Sequence, residues 1–592
     1  MKRLLLAGVF LALALFPLSP SGRPLAAGAG GGPSTAVPAI TVIRSALLGG
    51  YAEDITYISG GQHEGFIAMK VGQEVLGIKL SGNNPEPIKL FDLTEAGYLP
   101  FRPTGMVYVG DWDRFVVSQH GPYRQEFMYV FDSKGRLEAW PVDRGGATPP
   151  SYTEGLAYIP SDAPVWGEGW RARLLMMVPG PSPRVELLKA ENRTFTLEGQ
   201  IPLPAGYNWG DVVPLPSGEL LVSAYGQCSV YRWNPASPGI FTPEPVEPCD
   251  GSLGEGMIVL PDSRVVMSTL PLRLVTFPPT PASGVWTAAS TKDVRLGLGM
   301  LFFPVGLAWD STRQQFLVRY DTSFGTSPRG YGNALATLPL SLTRWTPWRV
   351  LSTDPASADR FFGGMTYDSL LDSAVVARRG RAVEDFPQAS PPEWAQTRTA
   401  ALLQVPMADP NLPLTTIELA SGLKALAASE SSLGPLYDKT SWSNGPFAVS
   451  FLADEAKYGV RFNAGGPRIF VLEPNVIDSR RIDVSVTWTC SDPAMSFGSS
   501  QFAVAPEPVA GARFAVLGSC KEPGTGPQIE GPRILVLFDE SGHELFHLEL
   551  LRDLGLMSLG SSYVTFVTSG PQTGAIAVFD SEFQRLVVFR VK

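Results

Sequence analysis

The chain has 592 residues, of which 44% are apolar and 17% charged, with a net charge of −9. That is too apolar for an acidic disordered chain and too sparsely charged for a coiled coil. Gly 61 and Pro 54 are scattered without a period, which excludes collagen and points to many short strands joined by turns. No Lys/Arg run breaks the acidic balance, so there is no electrostatic footprint for nucleic-acid phosphate.

Lys2 and Arg3 precede an apolar stretch from Leu4 to Leu18, and Ala27-Gly28-Ala29 offers small residues for cleavage. Residues 1–29 therefore read as a secretory signal peptide. The apolar run is shorter than the roughly 20 residues a membrane span requires, and no other stretch could span. The expectation is an exported chain, periplasmic or extracellular, with no transmembrane segment after cleavage. Residues 30–40, beginning Gly-Gly-Gly-Pro-Ser-Thr-Ala-Val-Pro, read as a flexible linker.

Beyond the linker one motif recurs: Gly, an apolar residue, a variable residue, then usually an aromatic. It stands at Gly105-Met106-Val107-Tyr108, Gly155-Leu156-Ala157-Tyr158, Gly256-Met257-Ile258-Val259, Gly306-Leu307-Ala308-Trp309 and Gly364-Met365-Thr366-Tyr367. Asp54-Ile55-Thr56-Tyr57 and Gly210-Asp211-Val212-Val213 fill the gaps, so successive starts lie 51, 50, 55, 46, 50 and 58 residues apart. A period near 50 without helical patterning is the signature of propeller blades. The unit starting at Gly105 divides into four strands, the third ending Phe131-Asp132 before a turn. That ending returns at Phe538-Asp539 and Phe579-Asp580. The expected fold is all-β: a β-propeller of about seven four-stranded blades over residues 41–420, then a further C-terminal β region over 421–592 with blade-like hairpins. The period lapses between Pro406 and Ser443, where a short helix is expected around Gly422 to Ser429.

One string resembles a catalytic motif. His543-Glu544-Leu545-Phe546-His547 fits H-E-x-x-H, which binds zinc when a helix puts both imidazoles on one face. Here it aligns with the fourth strand of a blade, where residues four apart stand about 13 Å from each other at ~3.3 Å per residue, so no zinc is expected. No G-x-S-x-G nucleophile elbow, P-loop or dinucleotide glycine pattern occurs.

The period itself supplies the candidates. Acids stand at or beside the start of four inner strands: Asp54, Glu154, Asp211 and Glu255. Fifteen residues past the anchor positions, in the loop between second and third strands, fall His120, Tyr225, Asp321 and Arg379. In a closed ring both sets would converge on one face. The acids then read as calcium ligands, His120 as a general base, and Tyr225, Asp321 and Arg379 as ligand-binding residues. The bland alternative is that the acids only cap backbone N–H groups or stay solvated. Cys228, Cys249, Cys490 and Cys520 form two sequence-local pairs, expected as the disulfides Cys228–Cys249 and Cys490–Cys520 in an oxidising compartment.

The segments Thr153-Glu154-Gly155-Leu156-Ala157-Tyr158 and Gly254-Glu255-Gly256-Met257 resemble blade starts of secreted bacterial propellers of the gluconolactonase-like and phytase-like esterase superfamilies. The resemblance implies a propeller and, with calcium as cofactor, hydrolysis of an ester, lactone or phosphoester at the axis. The residues themselves, lacking a nucleophile constellation, favour a recognition protein of the envelope or extracellular space that takes a small molecule or a protein at one face.

Overall fold

The computed structural model describes residues 39–592 apart from several stretches, the longest being 379–400 and 419–445. The signal peptide and the expected helix around Gly422 lie outside the described residues. Strands dominate, arranged as four-stranded antiparallel sheets of neighbouring strands in sequence order. The local reason is alternation within each unit. In the third blade, Arg173–Val178 (RLLMMV) is buried at every position and sits mid-sheet, whereas the outer strand Thr194–Pro202 alternates between buried and exposed residues. The Phe-Asp endings are turn chemistry: Asp132 Oδ1 accepts from Lys134 N and Arg136 N, both at 2.9 Å, and Asp539 Oδ1 accepts from Ser541 N (2.8 Å) and His543 N (2.9 Å). Among the described residues no helix is long and apolar enough to cross a membrane.

The blades do not form one ring of about seven. Among the described residues there are nine sheets, one of them two blades joined where Phe195 and Thr196 pair in parallel with Val142 and Asp143, giving ten blades. Their inner strands pack in two closed circles of five. In the first, Asp54–Tyr57, Arg102–Val109, Leu156–Ile159, Trp209–Pro214 and Leu253–Val259 follow one another, and the last packs back on the first. In the second, Pro304–Asp310, Phe362–Asp368, Pro446–Leu452, Ser496–Val509 and Ser562–Val567 do the same. The boundary near residue 420 is thus replaced by one between Asp293 and Pro304, and residues 421–592 complete the ring that begins at Pro304. The reason the period misleads is that every blade presents the same faces to its neighbours, whichever ring it joins.

The second ring is closed by the start of the chain. Ile40–Leu47 pairs antiparallel with the final strand Arg585–Val591, from Ile40 opposite Val591 to Leu47 opposite Arg585. The first ring is therefore inserted after the first strand of the second. Its own closure is a core shared by its first and last blades, including Ile55, Met69, Ile258 and Val266.

Removing residues 1–47 should open the last blade, baring the edge of Arg585–Val591 and the cluster that Ile43 and Ala46 cover. In calorimetry we expect two transitions, of which the shortened chain loses or strongly lowers one and keeps the other. Equal lowering of all unfolding would contradict two separately closed rings.

Candidate functional site

Five inner strands bring one register position to the axis of the first ring: Asp54, Gly105, Gly155, Asp211 and Gly256. The N–H of the following residue in each strand is satisfied by one of just two carboxylates. Asp54 accepts from Ile55 N at 2.7 Å, Met106 N at 2.6 Å and Leu156 N at 3.3 Å. Asp211 accepts from Val212 N at 2.7 Å and Met257 N at 2.5 Å. Both side chains are fully buried. Burial raises both carboxyls well above the ordinary range; for Asp54 the repulsion of Asp211 adds to this, and in each case the backbone N–H bonds oppose it.

Glycine at the other three positions is a matter of room. A Cβ on Gly155 would lie 1.8 Å from Asp211 Oδ1, one on Gly105 2.1 Å from the Glu154 carbonyl oxygen, and one on Gly256 2.8 Å from Ile55 N. The apolar and aromatic positions of the motif pack sideways: Met106 and Tyr108 join Ile58 and Ala68 of the preceding blade, and Met365 and Tyr367 join Ala308 and Leu317 of theirs.

Past the axial carboxylates the inner strands diverge around a funnel of about 450 Å³. Ile55, Leu156 and Met257 lie at its closed end, Tyr57, Tyr108 and Tyr158 form its wall on three successive blades, and Ser59, Asp111 and Asp162 stand at its mouth. Tyr108 Oη donates to Asp113 Oδ1 and Tyr158 Oη to Asp111 Oδ2, each at 2.7 Å. Burial first, and then the carboxylate each phenol faces, hold both tyrosines protonated. Burial works to raise the Asp111 carboxyl, but hydrogen bonds from Ser161 and Tyr158 outweigh it and leave it below the ordinary range, so Asp111 is a carboxylate at neutral pH.

The sequence candidates are placed as follows. Asp54 and Asp211 meet at the axis, whereas Glu154 and Glu255 each stand one residue ahead of the axial position, so the four acids do not form one ring. Glu154 is buried and its N–H donates to Met177 O at 2.9 Å; the Glu255 side chain is outside the described residues. His120 ends the strand Arg114–His120, opposite Arg102 in the first ring, while Asp321 ends Gln315–Asp321, opposite Asn333 in the second. They belong to different rings and do not converge. Tyr225 and Arg379 are outside the described residues. The H-E-x-x-H string lies on the strand Glu544–Glu549 and just before it, with His547 Nδ1 2.9 Å from Glu544 Oε1.

The axial acids do not fit calcium. Their oxygens face backbone N–H groups, whose positive ends oppose a cation at the same lone pairs. Among the described residues no three His, Cys, Asp or Glu side chains gather as a metal-binding group. The funnel opens at the ends of the inner strands, not at their starts, where the acids were expected to act. Its tyrosines stand at the fourth position of the recurring motif, so their repetition was the signal for it.

No family model matches the chain, and no curated protein matches it. Among solved structures, it is similar to a protein of unknown function from Bacteroides caccae, at 11% identity and a TM-score of 0.28 over 41% of this chain and 81% of that one. It is also similar to a chain of the Mitotic Checkpoint Complex, at 10% identity and a TM-score of 0.26 over 63% of this chain and 96% of that one.

Because folding raises the proton affinity of Asp54 and Asp211, the folded chain holds more protons than the unfolded one above the ordinary carboxylate range near ~4. Stability should therefore fall as pH rises from that range through the raised values. Denaturant unfolding at ~pH 5 and ~pH 8 is expected to show the first ring more stable at the lower pH, with the difference reduced in Asp211→Asn. Gly155→Ala, which drives a Cβ into Asp211, should cost about 3 kcal/mol or more. A neutral effect of Gly155→Ala would refute the crowded axis.

Proposed function

We propose that the protein is an exported recognition propeller whose ligand, a small molecule or an exposed segment of a protein, enters the axial funnel of the first ring. The observation that carries this reading is the sealed axis. With every axial N–H of the motif satisfied by Asp54 or Asp211, the ring has a rigid floor, and the funnel above it is blind and walled by preset tyrosines. A preformed concave site of mixed polarity is what ligand recognition uses. The calcium-dependent hydrolase implied by the gluconolactonase-like and phytase-like resemblance is disfavoured, because its proposed ligands Asp54 and Asp211 are committed to the backbone.

Export rests on the signal pattern of residues 1–29, and a disulfide at Cys228 supports it. Val246 N donates to Cys228 O at 2.9 Å, bringing Cys228 beside the segment that leads to Cys249, and Cys228 has no free thiol. Cys520 stands opposite Phe497 in register, on the strand pair that Cys490 precedes.

Ser59→Trp, at the exposed mouth, should abolish capture of the native ligand from envelope extract without lowering the melting temperature. Undiminished capture would remove the funnel from the function. Excess calcium should leave the melting temperature of the parent protein unchanged, since an ion bound to the native state would raise it; a calcium-dependent rise lost in Asp54→Asn would restore the hydrolase. Non-reducing peptide mapping of secreted protein should start after Ala29 and recover Cys228 linked to Cys249. Free thiols in that material would refute the compartment.

A further inference from the structure

We infer that the funnel of the first ring selects a primary alkylammonium, apolar stem inward and ammonium at the mouth; this rests on the funnel being the ligand site. Two observations lead there. The lining includes Asp111 and Asp162 and, among the described residues, no Lys, Arg or His. The phenolic hydrogens of Tyr108 and Tyr158 are already donated to Asp113 and Asp111, so these oxygens and carboxylates meet a ligand as acceptors. An anionic ligand meets two carboxylates and no cation among the described lining residues, whereas an ammonium brings three donors and a positive charge.

The second consideration is where the charge lies. Both lining carboxylates stand at the mouth, on the turns that follow the inner strands of the second and third blades, and Asp111 stays ionised through its bonds from Ser161 N (3.1 Å) and Tyr158 Oη. The deep end is Ile55, Leu156 and Met257, each buried. From Ile55 to Ser59 the inner strand rises about 13 Å at ~3.3 Å per residue, room for a short aliphatic stem. An ammonium therefore sits among the acceptors of the rim, and burial of the stem against apolar side chains supplies the hydrophobic part of the affinity. A lysine side chain or a diamine would enter with a cation at the apolar end, which is unfavourable without a partner there. The same chemistry could come from a free alkylamine or from the N-terminus of a peptide that begins with an aliphatic residue.

The test is titration of the full mature chain with defined probes, read by melting shift and by fluorescence of Trp112, whose ring lies 5.7 Å from that of Tyr158. Pentylammonium should bind, whereas pentanol, pentanoate and 1,5-diaminopentane should bind at least about tenfold more weakly, the loss of one charge interaction at a half-buried site. Asp111→Asn should weaken pentylammonium by about tenfold, and Asp162→Asn, on an exposed residue, should also weaken it and serves if Asp111→Asn melts early. Leucine methylamide binding better than pentylammonium would assign the site to a peptide N-terminus, and the reverse to a free amine; either supports the inference. Equal binding of pentanol and pentylammonium, tighter binding of the diamine, or no response to any probe would overturn it. None of those results touches the wider funnel reading, which falls only if Ser59→Trp leaves capture of the native ligand intact.

Discussion

Five inward-facing N–H groups set the first ring. When five strands converge on a buried axis, each N–H of the innermost register needs an acceptor, and an unsatisfied buried donor costs about 1–3 kcal/mol. A carboxylate has about four lone-pair sites, so two aspartates can serve all five donors, provided the other three strands supply no side chain at that level. That is the observed arrangement: Asp54 and Asp211, with Gly105, Gly155 and Gly256. The closeness of two acids is tolerated because the N–H groups stabilise negative charge while burial and mutual repulsion favour retention of a proton. In the second ring, the close neighbour of Gly306 is the buried side chain of Arg319, whose Nε would lie 3.4 Å from a Cβ there.

Closure differs between the rings in the same spirit. The second ring is tied by backbone pairing between the first and last strands of the described chain, extended by Lys592 N donating to Ala39 O at 2.9 Å. Among the described residues the first ring has no such exchange between its own first and last blades, which meet through side-chain packing, and the ring is further tied by its axial hydrogen bonds. Contacts between the rings gather where the inserted ring departs. Gln73 Nε2 donates to Gly555 O at 3.1 Å, and Arg585 reaches both Ser45 Oγ at 3.0 Å and Glu74. The Gln73 and Glu74 links join the first blade of the inserted ring to the last blade of the other and to the segment leading into it, so the closing strand and the inserted ring share their attachment.

Sequence patterning reveals whatever is local to a blade. The glycine of the motif, the aromatic three residues on and the Phe-Asp turn all answer to forces within a blade or between two neighbours, so they recur wherever a blade occurs. Ring size is not local. A blade starting at Gly256 packs on the one starting at Asp54, while the next in sequence, starting at Gly306, opens a new ring, and nothing in the two motifs distinguishes these fates. That is why His120 and Asp321, at equal offsets, fall in different rings. The acids were legible as a set but not in register: Asp54 and Asp211 occupy the axial place itself, and Glu154 and Glu255 the position before it. The Gly210-Asp211 pair reads as a glycine start, yet it is Asp211 that accepts from Val212 and Met257.

The funnel inherits its asymmetry from the same register. Three residues beyond the axial position the five strands carry Tyr57, Tyr108, Tyr158, Pro214 and Val259, all of them lining the funnel. One side of the wall is therefore tyrosine and the other aliphatic. The lining carboxylates follow the second and third blades only, Asp111 accepting from Tyr158 Oη. Such a site distinguishes not only what enters but which way round it lies, because hydrogen-bonding capacity is confined to one arc of the mouth while apolar surface continues to the floor. The floor exists only because the axis is plugged: without Asp54 and Asp211 the same walls would line an open pore, with no closed apolar end against which a ligand could be oriented.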